Sequence, residues 1–183
     1  RKEKVEDAPA AISVISKTEI RRESNTNLGD YIKGTKGIDF TQSGIDSYNI
    51  TARGFNSSFS SRLLTLTDGR VANVPSLRLN AYNVIPVSFE DVEQIEVVLG
   101  PASALYGPNA HSGILNIITS SPIRSQGTSF NIQGGMIGQD DTELIKKFSF
   151  RSAHKYKDFG FKVSGVLLSG QDWRHFNSDE YEG

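Results

Sequence analysis

Hydrophobic positions along the chain fall into two textures. Through residue 122, short apolar runs rich in β-branched residues are separated by turn signals, short helical stretches and polar loops. Residues 12–15 predict a first strand, and Thr18 is placed to cap a helix opening at 17–20. Leu28 and Ile32, four apart and followed by Gly34, predict a second short helix within 25–34. Ile38 and Phe40 alternate with polar neighbours over 37–42, and YNITARGF at 48–55 predicts another strand. A strand over 63–66 runs into Asp68-Gly69, a dipeptide that tolerates positive φ, so a hairpin to Arg70-Val71 is expected. Residues 75–86 read as irregular, with Asn80, Tyr82 and Asn83 at the surface.

The stretch 91–122 is the most informative. Apolar runs at 95–99 and 114–119 predict two strands, joined by a Gly-, Pro- and Ala-rich elbow. Pro101 is suited to the first position of a short helix over 101–105, which Gly107 and Pro108 then stop. Simple alternation puts Glu93 and Glu96, three apart, on opposite faces of their strand. This part of the chain predicts a small, loop-rich α+β domain with a mixed sheet.

After Arg124 the period becomes two. Phe130, Ile132, Gly134 and Met136 alternate with Asn131, Gln133 and Gly135. Phe148, Phe150, Ser152, His154 and Tyr156 oppose Lys147, Ser149, Arg151, Ala153 and Lys155. Phe159, Phe161, Val163, Gly165 and Leu167 oppose Gly160, Lys162, Ser164, Val166 and Leu168. Each run is about ten residues, the length of a tilted strand that crosses a bilayer. An acidic turn at 138–143 and a tight one at Lys157-Asp158 connect them. A soluble antiparallel meander carries the same periodicity. If the strands are membrane strands, three of them cannot close a barrel, and the chain is part of something longer.

Composition narrows the chemistry. Net charge is −1, which gives no basic field for nucleic acid. No apolar run reaches the length of about eighteen residues that a membrane helix needs. With no cysteine there is no disulfide, thiolate–zinc site or thiol nucleophile. His111, His154 and His175 have no ligand-like spacing, and the 100–107 segment lacks the Lys-Ser/Thr of a phosphate loop. No catalytic constellation emerges and no cofactor is called for, so the chain does not read as an enzyme. The opening residues 1–7 read as a mobile charged leader.

Several motifs in order nonetheless carry a resemblance. ITARGF at 50–55, LTLTDGR at 64–70 and VEQIEVVLGPASALYGPNAHSGILNIIT at 92–119 resemble the plug domain of TonB-dependent outer-membrane receptors. APAAISVIS at 8–16 and NLGDYIKGTKGI at 27–38 resemble the opening of that domain. The resemblance implies a leader at 1–7 following a TonB box, a plug at 8–124, and the first three strands of a transmembrane β-barrel at 125–183. It implies a structural role for Arg53, Gly54, Asp68, Gly69, Glu93, Glu96, Gly100, Pro101, Gly107 and Asn116. It also implies energy-coupled import across the bacterial outer membrane, with the N-terminus periplasmic. A small nutrient such as a ferric siderophore would be captured at apical loops, and TonB, with ExbB and ExbD, would displace the plug. Candidate ligand contacts on those loops are Phe59, Arg62, Arg78 and Tyr82. Outer-membrane lipid would surround the barrel. Two positions depart from the family pattern: Leu99 stands where an arginine is usual, and Ser112-Gly113 replaces Gly-Gly. A soluble or periplasmic binding or signalling module on a plug-like fold is the alternative.

Overall fold

The computed structural model describes residues 11–23, 25, 27–54, 63–72, 82, 85, 87–100, 110–137 and 143–172. The chain opens with β1 (Ala11–Ser16), which runs directly into α1 (Lys17–Arg22). The cap is Ser16, not Thr18. Ser16 Oγ accepts from the Glu19 amide while the Glu19 carboxylate takes the Ser16 amide, and this reciprocal box outcompetes a cap two residues later. In α2 (Leu28–Ile32) the Asn27 side chain accepts from the Asp30 amide, and Leu28, Gly29 and Ile32 are buried. A Cβ at Gly29 would collide with the Phe40 ring, so the close approach of α2 to its neighbouring strand requires glycine there.

β2 (Ile38–Gln42) and β3 (Tyr48–Ala52) form an antiparallel pair. β3 ends before the expected Phe55, because Arg53 and Gly54 both take positive φ and turn the chain out of the strand. The Arg53 amide donates to the Gly37 carbonyl and the Gly54 amide to the Asp39 carboxylate. β4 (Leu63–Thr67) and β5 (Arg70–Val71) flank the expected Asp68-Gly69 turn, with φ of 50° and 77° at its two residues.

A 3₁₀ turn (Phe89–Asp91) leads into β6 (Val92–Leu99), and β7 (Gly113–Thr119) returns antiparallel to it. The five-stranded sheet has the order β1-β6-β7-β4-β5, with β4 and β7 parallel, so it is mixed as expected. The elbow helix and Gly107 fall outside the described residues. A register shift between Val92 and Gln94 breaks the alternation in β6: Val92 and Ile95, three apart, enter the same core. Simple alternation therefore does not separate Glu93 from Glu96.

The main core lies between one face of this sheet, the β2–β3 pair and the two helices. It is built from Ile32, Ile50, Ile95, Val97, Leu115 and Ile117, among others. Leu99 belongs to it, packed toward Gly37. Tyr82 does too, contrary to the surface position expected from its polar surroundings. Its ring stacks on Tyr48 at 5.6 Å and its hydroxyl donates to the Ile50 carbonyl, so the amphipathic side chain buries its body and satisfies its tip. A smaller cluster of Leu64, Leu66, Ala110 and Ile114 covers the opposite face.

β8 (Gly127–Ile137), β9 (Glu143–Tyr156) and β10 (Phe159–Ser169) form a separate antiparallel wall. The tight turn at Lys157-Asp158 is present, with Tyr156 paired to Phe159. Among the described residues no helix is long and apolar enough to cross a membrane, which says nothing of strands.

Gly113 sits opposite Leu99, where a Cβ would strike the Val98 carbonyl oxygen, whereas a Cβ at Gly34 meets nothing. Gly113→Ala should destabilise the N-terminal unit by about 1–3 kcal/mol through overpacking. Gly34→Ala should be close to neutral by comparison, with urea midpoints of the two variants as the check.

Candidate functional site

The strand wall is inverted relative to a soluble sheet. On β9 the buried residues are Lys147, Ser149, Arg151 and Ala153, all on the side packed against the N-terminal unit. The other side carries exposed Phe130, Ile132, Phe161 and Leu167, with Ile132 81% exposed. Water would penalise such a surface, whereas hydrocarbon accepts it, and a lumen favours polar inward positions. The strands are 11, 14 and 11 residues long, enough for a tilted crossing.

A buried charge cluster joins wall and mixed sheet. The Asp91 carboxylate, in the 3₁₀ turn ahead of β6, takes Arg151 Nε on one oxygen and Lys162 Nζ on the other, each at 2.6 Å. Asp91 is 3% exposed and Arg151 is 5% exposed. Arg151 Nη2 also donates to the Ser125 carbonyl, and Lys162 Nζ to Thr119 Oγ1 and the Ser120 carbonyl. The Ser120 amide closes the set on the Asp91 carbonyl. Higher on the wall Lys147 Nζ donates to the Asn25 carbonyl and lies over the Phe89 ring at 4.7 Å. Asp172, just beyond β10, accepts from the Ile45 amide at 2.6 Å. Three levels of the wall thus grip the same unit.

The residues expected to form a structural motif occupy separate parts of the sheet. Asp68 accepts from the amide and hydroxyl of Thr119, fastening the β4–β5 turn to β7. Glu96 accepts from Asn116 and Gln94. Glu93 accepts from Ser120 Oγ and Lys17 Nζ, which hold its carboxyl below the usual value, the serine hydrogen bond first. Gly100 donates to the Ser112 carbonyl. Arg53 and Gly54 hold the end of β3. Pro101 and Gly107 lie outside the described residues, as do Phe59, Arg62 and Arg78. Tyr82 is buried in the plug core, not on an exposed loop surface. Sequence reasoning missed the Asp91 cluster, although its signal was present: cations on the polar set of a strand wall need a buried partner.

Residues 4–114 match the family model of the TonB-dependent receptor plug domain. The chain belongs to the TonB-dependent receptors. Membership places it in the bacterial outer membrane. The vitamin B12 transporter BtuB of Vibrio vulnificus is 35% identical over 143 residues, 77% of this chain and 23% of that protein. The iron-regulated outer membrane virulence protein of Vibrio cholerae is 32% identical over 143 residues, 75% of this chain and 21% of its own length. This receptor chain therefore spans about a quarter of the curated relatives it matches. The siderophore receptor PirA from Pseudomonas aeruginosa superposes with a TM-score of 0.67 at 26% identity, over 90% of this chain and 29% of that one. The ferric citrate transporter FecA, unliganded, shares the fold with a TM-score of 0.76 at 22% identity, over 93% of this chain and 27% of its own. In the receptor's terms the mixed-sheet unit is the plug, and β8–β10 are barrel wall.

Asp91→Ala would leave Arg151 and Lys162 buried beside no anion, and should cost the plug–wall association about 3–5 kcal/mol. Replacing all three with leucine should recover most of that loss, since the pair's attraction largely offsets its desolvation. Denaturant midpoints for hydrogen-exchange protection in the intact receptor check both. Glu93 gives a pH dependence of defined sign. Its folded pKa lies below the unfolded one, so its contribution is present at neutral pH and fades as pH falls through and below the ordinary carboxylate range. The side chain is half exposed, so the effect should stay under about 1 kcal/mol. The stability gap between wild type and Glu93→Gln at pH 7 should narrow as pH falls through and below the ordinary carboxylate range, as the folded carboxylate takes up its proton.

Proposed function

We propose that the chain is the plug, residues 8–124, and the first three barrel strands, within 125–183, of a receptor that imports a scarce nutrient across the outer membrane. The observation that carries this reading is the wall's polarity: its polar face is buried on the plug and its apolar face is bare. A soluble binding module has no use for such a face, which disfavours that alternative. The charged leader at 1–7 follows a TonB box, through which TonB, energised with ExbB and ExbD, pulls on the plug. The grip of Asp91, Lys147 and Asp172 resists that pull and keeps the lumen closed at rest.

Cargo meets the loops before the elbow. Phe59, Arg62 and Arg78 remain candidate contacts on the apical loops, while Tyr82 serves as the buried foot of the second loop. A ferric siderophore or cobalamin is the cargo class, supported by the likeness to a vitamin B12 transporter and a siderophore receptor. The receptor acts as a transporter and performs no covalent chemistry of its own.

Cells carrying the receptor as their sole uptake route for a given cargo should bind radiolabelled ferric siderophore or cobalamin at the surface. Accumulation should occur only when TonB is present, with binding intact in its absence. Accumulation independent of TonB would overturn the proposal.

A further inference from the structure

A chamber of about 300 Å³ lies between plug and wall, at the lower end of the range for small-molecule sites. Its plug side carries Asn27, the stacked rings of Tyr48 and Tyr82, and Phe89. Its wall side carries Lys147, Val166 and Leu168. Two observations bear on what it could hold. Asn27 is 3% exposed; its Oδ1 accepts from the Asp30 amide as the cap of α2, yet its Nδ2 has no hydrogen-bond partner. A buried amide donor left unmatched calls for an acceptor from outside the chain. The inward positions of β10 are Gly160, Lys162 and Ser164 nearer the turn, but become Val166 and Leu168 at the chamber. A wall that is polar where it is clamped is apolar here.

The contrast with the clamp is physical. Nearer the turn the seam is closed by a carboxylate held between two cations, both fastened further to carbonyls. At the chamber the lining is mixed instead: aromatic and aliphatic side chains stand beside Asp46, which feels the positive charge of Lys147. Rings, an aliphatic wall and a free amide donor suit a planar group with oxygen acceptors, which stacks on Tyr48 and takes the Asn27 proton. Lys147, already donating to the Asn25 carbonyl, adds positive potential that favours oxygen with negative charge.

We infer that this chamber is a transit site for the cargo, and that passage runs along the β9–β10 side of the plug, above the Asp91 clamp, through a station that accepts planar, oxygen-bearing groups. The inference rests on the transport reading and deepens it.

The test uses the full receptor in cells, with radiolabelled ferric citrate, ferric enterobactin and cobalamin as probes. If wild type accumulates none of the three in a TonB-dependent way, the transport reading itself fails. Given one that it does accumulate, Val166→Trp should fill the chamber and lower accumulation about tenfold, with surface binding unchanged. Asn27→Asp keeps the oxygen that caps α2 but removes the donor, and should lower accumulation about tenfold, again with binding intact. Val163→Ala, on the outward face of the same strand, should transport like wild type. Should Val166→Trp fail to reach the surface, Leu168→Phe narrows the same chamber and takes its place. Wild-type accumulation by both Asn27→Asp and the filling variant would overturn the inference, leaving the chamber as a pocket for water alone.

Discussion

The structure depends on one constraint: a strand wall that presents its apolar face outward must satisfy its polar face from within. Lys147, Ser149 and Arg151 are all withdrawn from solvent, and a buried cation without a partner is among the costliest features a fold can carry. Asp91 answers that demand for both Arg151 and Lys162 with a single carboxylate. Its own position follows from the 3₁₀ turn, whose Asp91 amide donates to Ser88 and whose carbonyl takes the Ser120 amide. The turn lies where β6 begins and the chain leaves β7, so the clamp acts on the two central strands of the plug sheet.

The energetics divide accordingly. The main apolar core is drawn from plug residues, from Ile20 to Ile117, and holds the plug as a body by burial. The seam to the wall is held by polar grips with specific geometry. Buried ion pairs contribute more to register than to net stability, because attraction and desolvation nearly cancel. That combination suits a body that has to stay seated and yet be displaced as a unit: a seam sealed by hydrophobic packing alone would resist displacement without fixing orientation.

Much of this was legible in the sequence, for identifiable reasons. Alternation found β8–β10 because side-chain period in a strand is two, and Asp68-Gly69 found its hairpin because few dipeptides tolerate consecutive positive φ. The elbow strands were legible from β-branched runs bounded by Gly and Pro. The cap at Ser16 was decided locally, by its reciprocal bonds with Glu19, whereas the other failures were decided by a contact distant in sequence or by backbone irregularity. Tyr82 follows a polar loop but is held by Tyr48 and Ile50. The bulge after Val92 cannot be seen in a hydrophobic pattern, and past it simple alternation no longer fixes where Glu93 and Glu96 lie relative to each other. Leu99, which removes a charge the family usually carries, proves to be a core residue. At the site, the motif residues mostly brace the sheet, whereas Asp91, Arg151 and Lys162 bind plug to wall.

On this structure the two faces of the wall meet different media. Spin labels placed singly along β9 of the intact receptor in a lipid bilayer, at positions 147 to 153, test it most directly through collision with oxygen and with a water-soluble nickel chelate. The expected result is a period of two: high oxygen access at 148, 150 and 152, and protection from both reagents at 147, 149, 151 and 153. Nickel access at the even positions, or no alternation at all, would contradict it.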